Sequence, residues 1–208
     1  MSTPVRRPAP GRGRPRGTSH RDLELIALRL FSQRGFEETT LEQIASEAGI
    51  SKRTFFRYFD SKASVLWSVV DEQVATIRTQ LADVPPDVPT MEAIRHAVVA
   101  VNRYEPEDVP EVRTRMNLIG SAAALSASAT SHYEAWEGVI AEFVARRTGQ
   151  PADSLVPRAV GRATLATVRA AYDTWVAAAD TELSVYVDQA LLALADGFST
   201  AEGAQGRS

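Results

Sequence analysis

Cysteine is absent from the 208-residue chain, which excludes disulfides, thiolate nucleophiles and cysteine-based metal sites and suits a reducing compartment. Histidine occurs three times, at His20, His96 and His132, scattered without metal-ligand spacing. No stretch reaches the about 18 consecutive apolar residues of a membrane-spanning helix. The N-terminus is basic but no apolar run follows it, so it does not read as a secretion signal, and a cytoplasmic protein without membrane partners is expected. Glycine-rich phosphate loops and a GxSxG nucleophile motif are also missing. The adjacent acids Glu107 and Asp108 lie in a loop and read as solvated carboxylates. Neither an enzyme nor a metal or cofactor is expected.

Acid is lacking from one region in particular. Residues 1–21 hold six arginines and no Asp or Glu, although the whole chain has a formal charge of −3. From Met1 to Lys62 there are 12 Lys/Arg against 7 Asp/Glu, net +5; from Ala63 onward there are 11 against 19, net −8. Such asymmetry suits a basic module that meets a polyanion beside an acidic module with another task. Charge alone equally allows a solvated basic tail on an ordinary acidic domain.

Periodicity tips that balance. Leu23, Ile26, Ala27, Leu30 and Phe31 share one face of a first helix, with Gly35 as its left-handed cap. Thr40 opens a second helix with Gln43 completing a capping box; Ile44, Ala45 and Ala48 face inward and Gly49 stops it. Ser51 caps a third helix, Lys52 to Phe59, whose buried side holds Phe55 and Phe59. Two helices joined by residues 49–51, a small residue at their crossing and a polar, cationic last helix predict a helix-turn-helix whose second helix enters the major groove.

The stretch TTLEQIASEAGISKRTFFRYFDSKASVL, Thr39 to Leu66, resembles the DNA-binding signature of the TetR family of bacterial transcription regulators. GRPRGTSHRDLELIALRLFSQRGFEETT, KRTFFRYF and MEAIRHAVVAVNRYEPEDVPEVRTRMNLI are similar to the family's subgroup associated with mycofactocin gene clusters. The resemblance implies a DNA-binding head and a C-terminal half that binds acyl-coenzyme-A-like ligands. It also implies a homodimer on a palindromic double-stranded operator, and a repressor rather than an activator. An activator, a regulator answering another apolar ligand, or a ligand-blind architectural DNA-binding dimer stays open at this level.

Carried over position by position, the family pattern makes Ser51, Lys52 and Arg53 the exposed start of the recognition helix. Ser51 suits a phosphate, and Lys52, Arg53, Thr54 and Arg57 are the candidates for base edges. Tyr58 and Lys62 match phosphate-holding positions, and Thr40 should touch the flanking backbone. Phe56 departs from the family's usual tyrosine, so apolar contact with a sugar or thymine methyl replaces a phenolic hydrogen bond there. Arg12-Gly13-Arg14-Pro15 resembles a minor-groove hook, which Arg16 extends.

An all-α chain of about nine helices is predicted. Residues 1–19 form a disordered basic arm, 20–66 the helix-turn-helix domain, 67–197 a ligand-binding and dimerisation domain, and 198–208 a disordered tail. Helix 4 is expected over Lys62–Ala82, helix 5 from a Thr90 cap to Arg103, and a loop from Tyr104 to Glu111 before helix 6. Helix 7 is expected over Thr130–Arg147, helix 8 from Pro157 to Ala179 and helix 9 over Glu182–Asp196. The small residues of helix 8, among them Ala159, Gly161, Ala166, Ala170 and Ala171, suit close approach to a two-fold mate. So does the apolar set Val185, Val187, Leu191, Leu192 and Leu194 of helix 9. His96, Tyr104, Arg113, Arg115, Asn117, Tyr133, Trp136, Phe143, Tyr172 and Trp175 are candidates for the ligand pocket. Arg113 and Arg115 either grip the phosphates of a long-chain acyl-coenzyme A there or pair with Glu107, Asp108 or Glu111.

Overall fold

Three side-chain caps start the first three helices among the described residues. The Ser19 hydroxyl accepts the Asp22 N–H at 3.0 Å and the Asp22 carboxylate accepts the Ser19 N–H at 3.0 Å, opening α1 (His20–Arg34). Thr40 and Gln43 make the same reciprocal box ahead of α2 (Leu41–Glu47), and the Ser51 hydroxyl accepts the Thr54 N–H ahead of α3 (Lys52–Phe55). Each box satisfies amide donors that a helix start otherwise leaves unpaired. The computed structural model describes residues 19–121, 125–178 and 181–197; the predicted arm, Ser19 apart, and the predicted tail 198–208 lie outside them.

Leu23, Ala27, Leu28, Leu30 and Phe31 of α1 bury against Phe36, Ile44, Phe55 and Phe59, closing the head's core. Gly49, at φ 65°, makes the turn between α2 and α3, where the Ile50 N–H reaches the Ala45 carbonyl at 2.9 Å. α4 (Ser64–Ala82) then runs out of the head: Val65, Leu66 and Trp67 belong to the head core, Val74, Ile77 and Leu81 to the second core. That second core is built by α5 (Thr90–Ala100), α7 (Ser126–Thr148), α8 (Leu155–Ala178) and α9 (Leu183–Ala195), with α6 (Val109–Ser121) along one side. α7 packs between α4 and α8, and α9 lies between α8 and α5. At the α7–α8 crossing, a Cβ on Gly161 would stand 2.5 Å from the Glu137 carbonyl oxygen, so only glycine fits this approach. All regular structure among the described residues is helical, and the nine helices match the predicted class. No described helix is long and apolar enough to cross a membrane.

Several boundaries differ from expectation. Gly35 ends α1 at φ 89°, ψ 153°, positive in φ but not in the left-handed helical region. α3 stops at Phe55, and 56–58 form a tighter turn in which both Tyr58 and Phe59 N–H groups bond the Phe55 carbonyl. Ser61 accepts the Ser64 N–H at 3.1 Å, but its turn precedes α4 rather than joining it. Thr90 is the first residue of α5, behind Pro89, and that helix ends at Ala100. α6 begins at Val109, inside the predicted loop, because the Asp108 carbonyl already accepts the Glu111 and Val112 N–H groups. α7 starts at Ser126, ahead of the expected Thr130.

Candidate DNA-binding head and effector cavity

The turn at Gly49 sets α3 across α2 with Phe55 and Phe59 turned inward, which leaves Ser51, Lys52, Arg53, Phe56 and Arg57 exposed. This face is cationic and partly braced. Lys52 pairs with Glu42 of α2, and the Arg57 guanidinium donates to the Tyr58 hydroxyl at 3.2 Å. Thr54 is half-buried, its hydroxyl 2.9 Å from that of Ser51. Thr40 is exposed at the start of α2. Lys62 stands differently from its predicted phosphate role. Its ammonium donates to the carbonyls of Phe36, Glu37 and Thr39 at 2.7, 3.1 and 3.0 Å and lies over the Phe36 ring. An ammonium has three donors, so Lys62 pins the α1–α2 connection instead of reaching outward. Arg12, Arg14 and Arg16 lie outside the described residues.

Below the head a cavity of about 660 Å³ opens between α4, α6, α7 and α8, within the usual range of small-molecule sites. Four of the sequence-predicted residues line it: Asn117, Tyr133, Trp136 and Tyr172. The other predicted residues stand elsewhere. Phe143 and Trp175 are core, and the Trp175 indole N–H donates to the Thr181 carbonyl at 2.9 Å. Arg113 lies over the Trp175 ring and reaches the Val176 carbonyl at 3.4 Å. His96 sits beside Arg95 near the α5–α9 contact. Arg115 is 1% exposed and bound to Glu24 and Glu111, so neither of the two predicted phosphate-gripping arginines reaches the cavity.

One end of the cavity carries a neutral polar network. The Gln73 amide donates to the Tyr104 hydroxyl at 3.1 Å and the Tyr172 hydroxyl at 3.4 Å, and Tyr172 donates to the Asn102 side-chain oxygen at 2.5 Å. Burial pushes the Tyr172 phenol well above its ordinary range, with Tyr104 adding to the shift, and burial likewise raises Tyr104. Both therefore stay uncharged hydrogen-bonding groups. Toward solvent the wall carries Arg169, its guanidinium 4.8 Å from the Tyr133 ring centre, and Asp173 one turn on. Trp67, Val70 and Gln73 of α4, Met116 of α6 and Arg169 of α8 also line the site and were not among the predicted residues. The α4 residues had a signal, since 67, 70, 73, 74 and 77 repeat at helical spacing. Arg169 had none beyond being a lone cation among small residues.

Outward from the cavity, α8 exposes Ala159, Ala166, Ala170 and Ala177, while Gly161 and Ala171 turn inward. On α9, Val187 and Leu191 are core; Val185 and Leu192 are 38% and 44% exposed. Leu155 and Val156 add further exposed apolar surface at the start of α8.

Two family profiles match the chain: the MftR C-terminal domain over residues 88–199 and the bacterial regulatory proteins of the tetR family over residues 26–69. The chain is 32% identical over 164 residues to the proposed mycofactocin biosynthesis transcriptional regulator MftR of Mycobacterium tuberculosis, covering 79% of this chain and 83% of that protein. Among solved structures, it resembles the regulator FadR of Bacillus subtilis in complex with stearoyl-CoA, with a TM-score of 0.60 at 14% identity, covering 86% of this chain and 99% of the other. FadR of Thermus thermophilus, a repressor in complex with lauroyl-CoA, superposes with a TM-score of 0.55 at 22% identity over 91% and 97% of the two chains.

Proposed function

The chain belongs to the TetR family of DNA-binding transcriptional regulators, and from that premise we propose that it is a homodimeric repressor released from a palindromic operator by an acyl-CoA-like effector. The observation that carries the reading is Trp67. It belongs to the core under the recognition helix and also lines the cavity, so what fills the cavity touches a residue on which the head rests. Ser51, Lys52, Arg53, Thr54, Phe56 and Arg57 form the face that meets DNA, with Thr40 and Tyr58 beside it. Two such faces about 34–36 Å apart read half-sites one helical turn apart. The arginines of the arm, Arg12, Arg14 and Arg16, follow the adjacent minor groove. The exposed small stripe of α8 and Val185 and Leu192 of α9 form the two-fold interface.

In the cavity the apolar wall of Trp67, Val70, Met116, Trp136, Leu165 and Val168 takes the acyl chain. Gln73 and Tyr172 limit its far end, and Arg169 meets the anionic part in place of Arg113 and Arg115. Effector releases DNA only if it binds the DNA-incompetent arrangement more tightly, and α4, shared by both cores, is the lever. Fluorescence anisotropy on DNA from the gene's own upstream region tests this, titrating oleoyl-CoA against free coenzyme A and oleate. Release by the thioester alone supports the reading. Tight binding indifferent to all three overturns the effector and leaves the DNA-binding function standing.

A further inference from the structure

Arg115 is the largest buried charged side chain of the molecule among the described residues, and it is held by three helices at once. From α6, its Nη2 donates to Glu24 of α1 at 2.7 Å and to Glu111 one turn back at 3.1 Å. Its Nη1 donates to two α4 carbonyls, Val65 at 2.5 Å and Leu66 at 3.1 Å. Glu24 also accepts from the Ser68 hydroxyl of α4 at 2.5 Å and from Arg21 at 3.2 Å, and Arg21 grips Glu111 through both guanidinium nitrogens at 2.7 and 2.5 Å. Two arginines and two glutamates thus form a cluster where the head's first helix meets α6 and α4, and Asp108, 3.5 Å from Arg21, joins it at its exposed edge.

The helix that carries this cluster also walls the cavity. Met116, Asn117, Ile119 and Gly120 of α6 line it, beginning at the residue next to Arg115. α6 is only partly buried: Val112 and Arg115 are its fully buried residues, while Val109 and Met116 pack against the body core and Leu118 and Ile119 against the head core. A ligand that displaces Met116 and Ile119 therefore moves the backbone bearing the guanidinium. A buried guanidinium cannot leave its acceptors without a large desolvation penalty, so the head must follow α6 or separate from it.

We infer that Arg115 is a positioning residue that passes occupancy of the cavity to the DNA-binding head, by clamping α1 through Glu24 and the start of α4 through its carbonyls. The inference rests on the cavity being the effector site. It assigns the coupling to an α6–α1 ionic latch in addition to the shared helix α4. The fork geometry matters, because the guanidinium spreads its donors over two nitrogens, Nη2 on Glu24 and Glu111 and Nη1 on the α4 carbonyls, whereas a lysine ammonium concentrates its three donors on one.

The test uses the full chain with Arg115→Lys, Arg115→Met and, as a control on the same helix, Arg113→Met. Arg21 still pairs with Glu24 and Glu111 in the Arg115 variants, and thermal melts by circular dichroism verify that each is folded. Operator affinity is measured with and without oleoyl-CoA, and the ratio of the two is the release factor. Separately, with no effector present, spin labels at Ser46→Cys on α2 and Gln80→Cys on α4 report the head-to-body distance in labelled chains diluted with unlabelled ones. Both sites are exposed, and the chain has no native cysteine. The Arg115 variants should still bind operator, with the release factor reduced about tenfold, inside the usual range of coupling energies. Their distance distribution should broaden, while Arg113→Met matches the wild type in both measurements. A wild-type release factor in Arg115→Lys, or a distribution in Arg115→Met as narrow as the wild type's, overturns the inference. If oleoyl-CoA leaves wild-type operator binding unchanged, the effector reading fails instead, and the distances alone then decide the latch.

Discussion

The head and the body begin their helices in different ways. α1, α2 and α3 each start on a side chain, Ser19, Thr40 or Ser51, that accepts an amide three residues on. The N-cap residues of α4, α5, α7 and α9 make no side-chain cap bond. A short helix buries little area and owes its boundaries to local hydrogen bonds; α3 has only four residues, one of them buried. The 24-residue α8 instead buries Pro157, Gly161, Thr164, Leu165, Val168, Ala171 and Trp175 along one face, and needs no cap to stay in place. The head is thus specified by neighbours in sequence, the body by partners across the bundle.

If that contrast is right, the largest losses come from the body's core. Trp175→Ala removes a side chain that is 1% exposed, leaves a cavity and orphans the Thr181 carbonyl. We expect a cost of about 3–5 kcal/mol, read as a lower denaturation midpoint in urea. A cost below about 1 kcal/mol would mean that the bundle relaxes around the hole as a surface site does.

Next in size is the charged seam between the regions. Glu24→Gln removes one carboxylate from the buried cluster and leaves Arg115 to Glu111 and two carbonyls, a loss of about 3 kcal/mol. Burial alone would raise the Glu24 pKa. The Ser68 hydroxyl, the Arg115 charge and Arg21 outweigh it, and the carboxyl sits below its ordinary value. A depressed carboxyl contributes fully above the unfolded-state value, about 4.3 for glutamate, and loses that contribution as pH falls through its folded value. Urea midpoints measured from pH 7 downward should therefore fall more steeply in wild type than in Glu24→Gln below about pH 4.3. Parallel acid limbs would show that Glu24 is not held ionised by its neighbours.

Gly161→Ala acts within the body but on backbone. The new methyl would meet the Glu137 carbonyl at 2.5 Å, so α7 and α8 must separate, at about 1–3 kcal/mol. The same change at Gly120 meets nothing within 4 Å and sits within a helix, so Gly120→Ala serves as the neutral comparison. Equal melting temperatures for the two variants would remove the close crossing from the account.

The same division explains what the sequence made legible. Thr40 with Gln43, Ser51 with Thr54 and the turn at Gly49 act across three or four residues, and all of them could be read from spacing. For Arg115 only Glu111, four positions back, could be read, because its partners Glu24 and Val65 lie 91 and 50 positions away. Its sequence context, a cation near the start of α6, looks the same whether it meets a phosphate or a buried glutamate. The partners of Lys62 were out of reach for a similar reason: its three acceptors lie 23 to 26 positions back, in the α1–α2 connection. In the cavity, the aromatic residues Tyr133, Trp136 and Tyr172 could be picked out, but Phe143 and Trp175 share their chemistry and face the core instead. Composition identifies candidates for a wall, and only packing decides which side of a helix faces it.

The smallest effect discriminates most sharply between the two regions. Thr40→Ala deletes the hydroxyl that accepts the Gln43 N–H at 3.2 Å and frees Gln43 from the Thr40 N–H it holds at 2.9 Å. Loss of such a box costs about 1 kcal/mol. In a head specified locally, this cost falls on α2, whose seven residues bury only Ile44 and Ala45, and leaves the body as it was. Amide hydrogen exchange of residues 41–47 should then quicken while amides of α8 keep their wild-type protection. Operator affinity should fall with it, since α2 is what sets α3 at its angle. Trp175→Ala should do the reverse, loosening α8 amides first. If Thr40→Ala instead lowers protection equally in α2 and α8, the two cores unfold as one cooperative unit through α4, and the head's independence exists in its sequence pattern but not in its energetics.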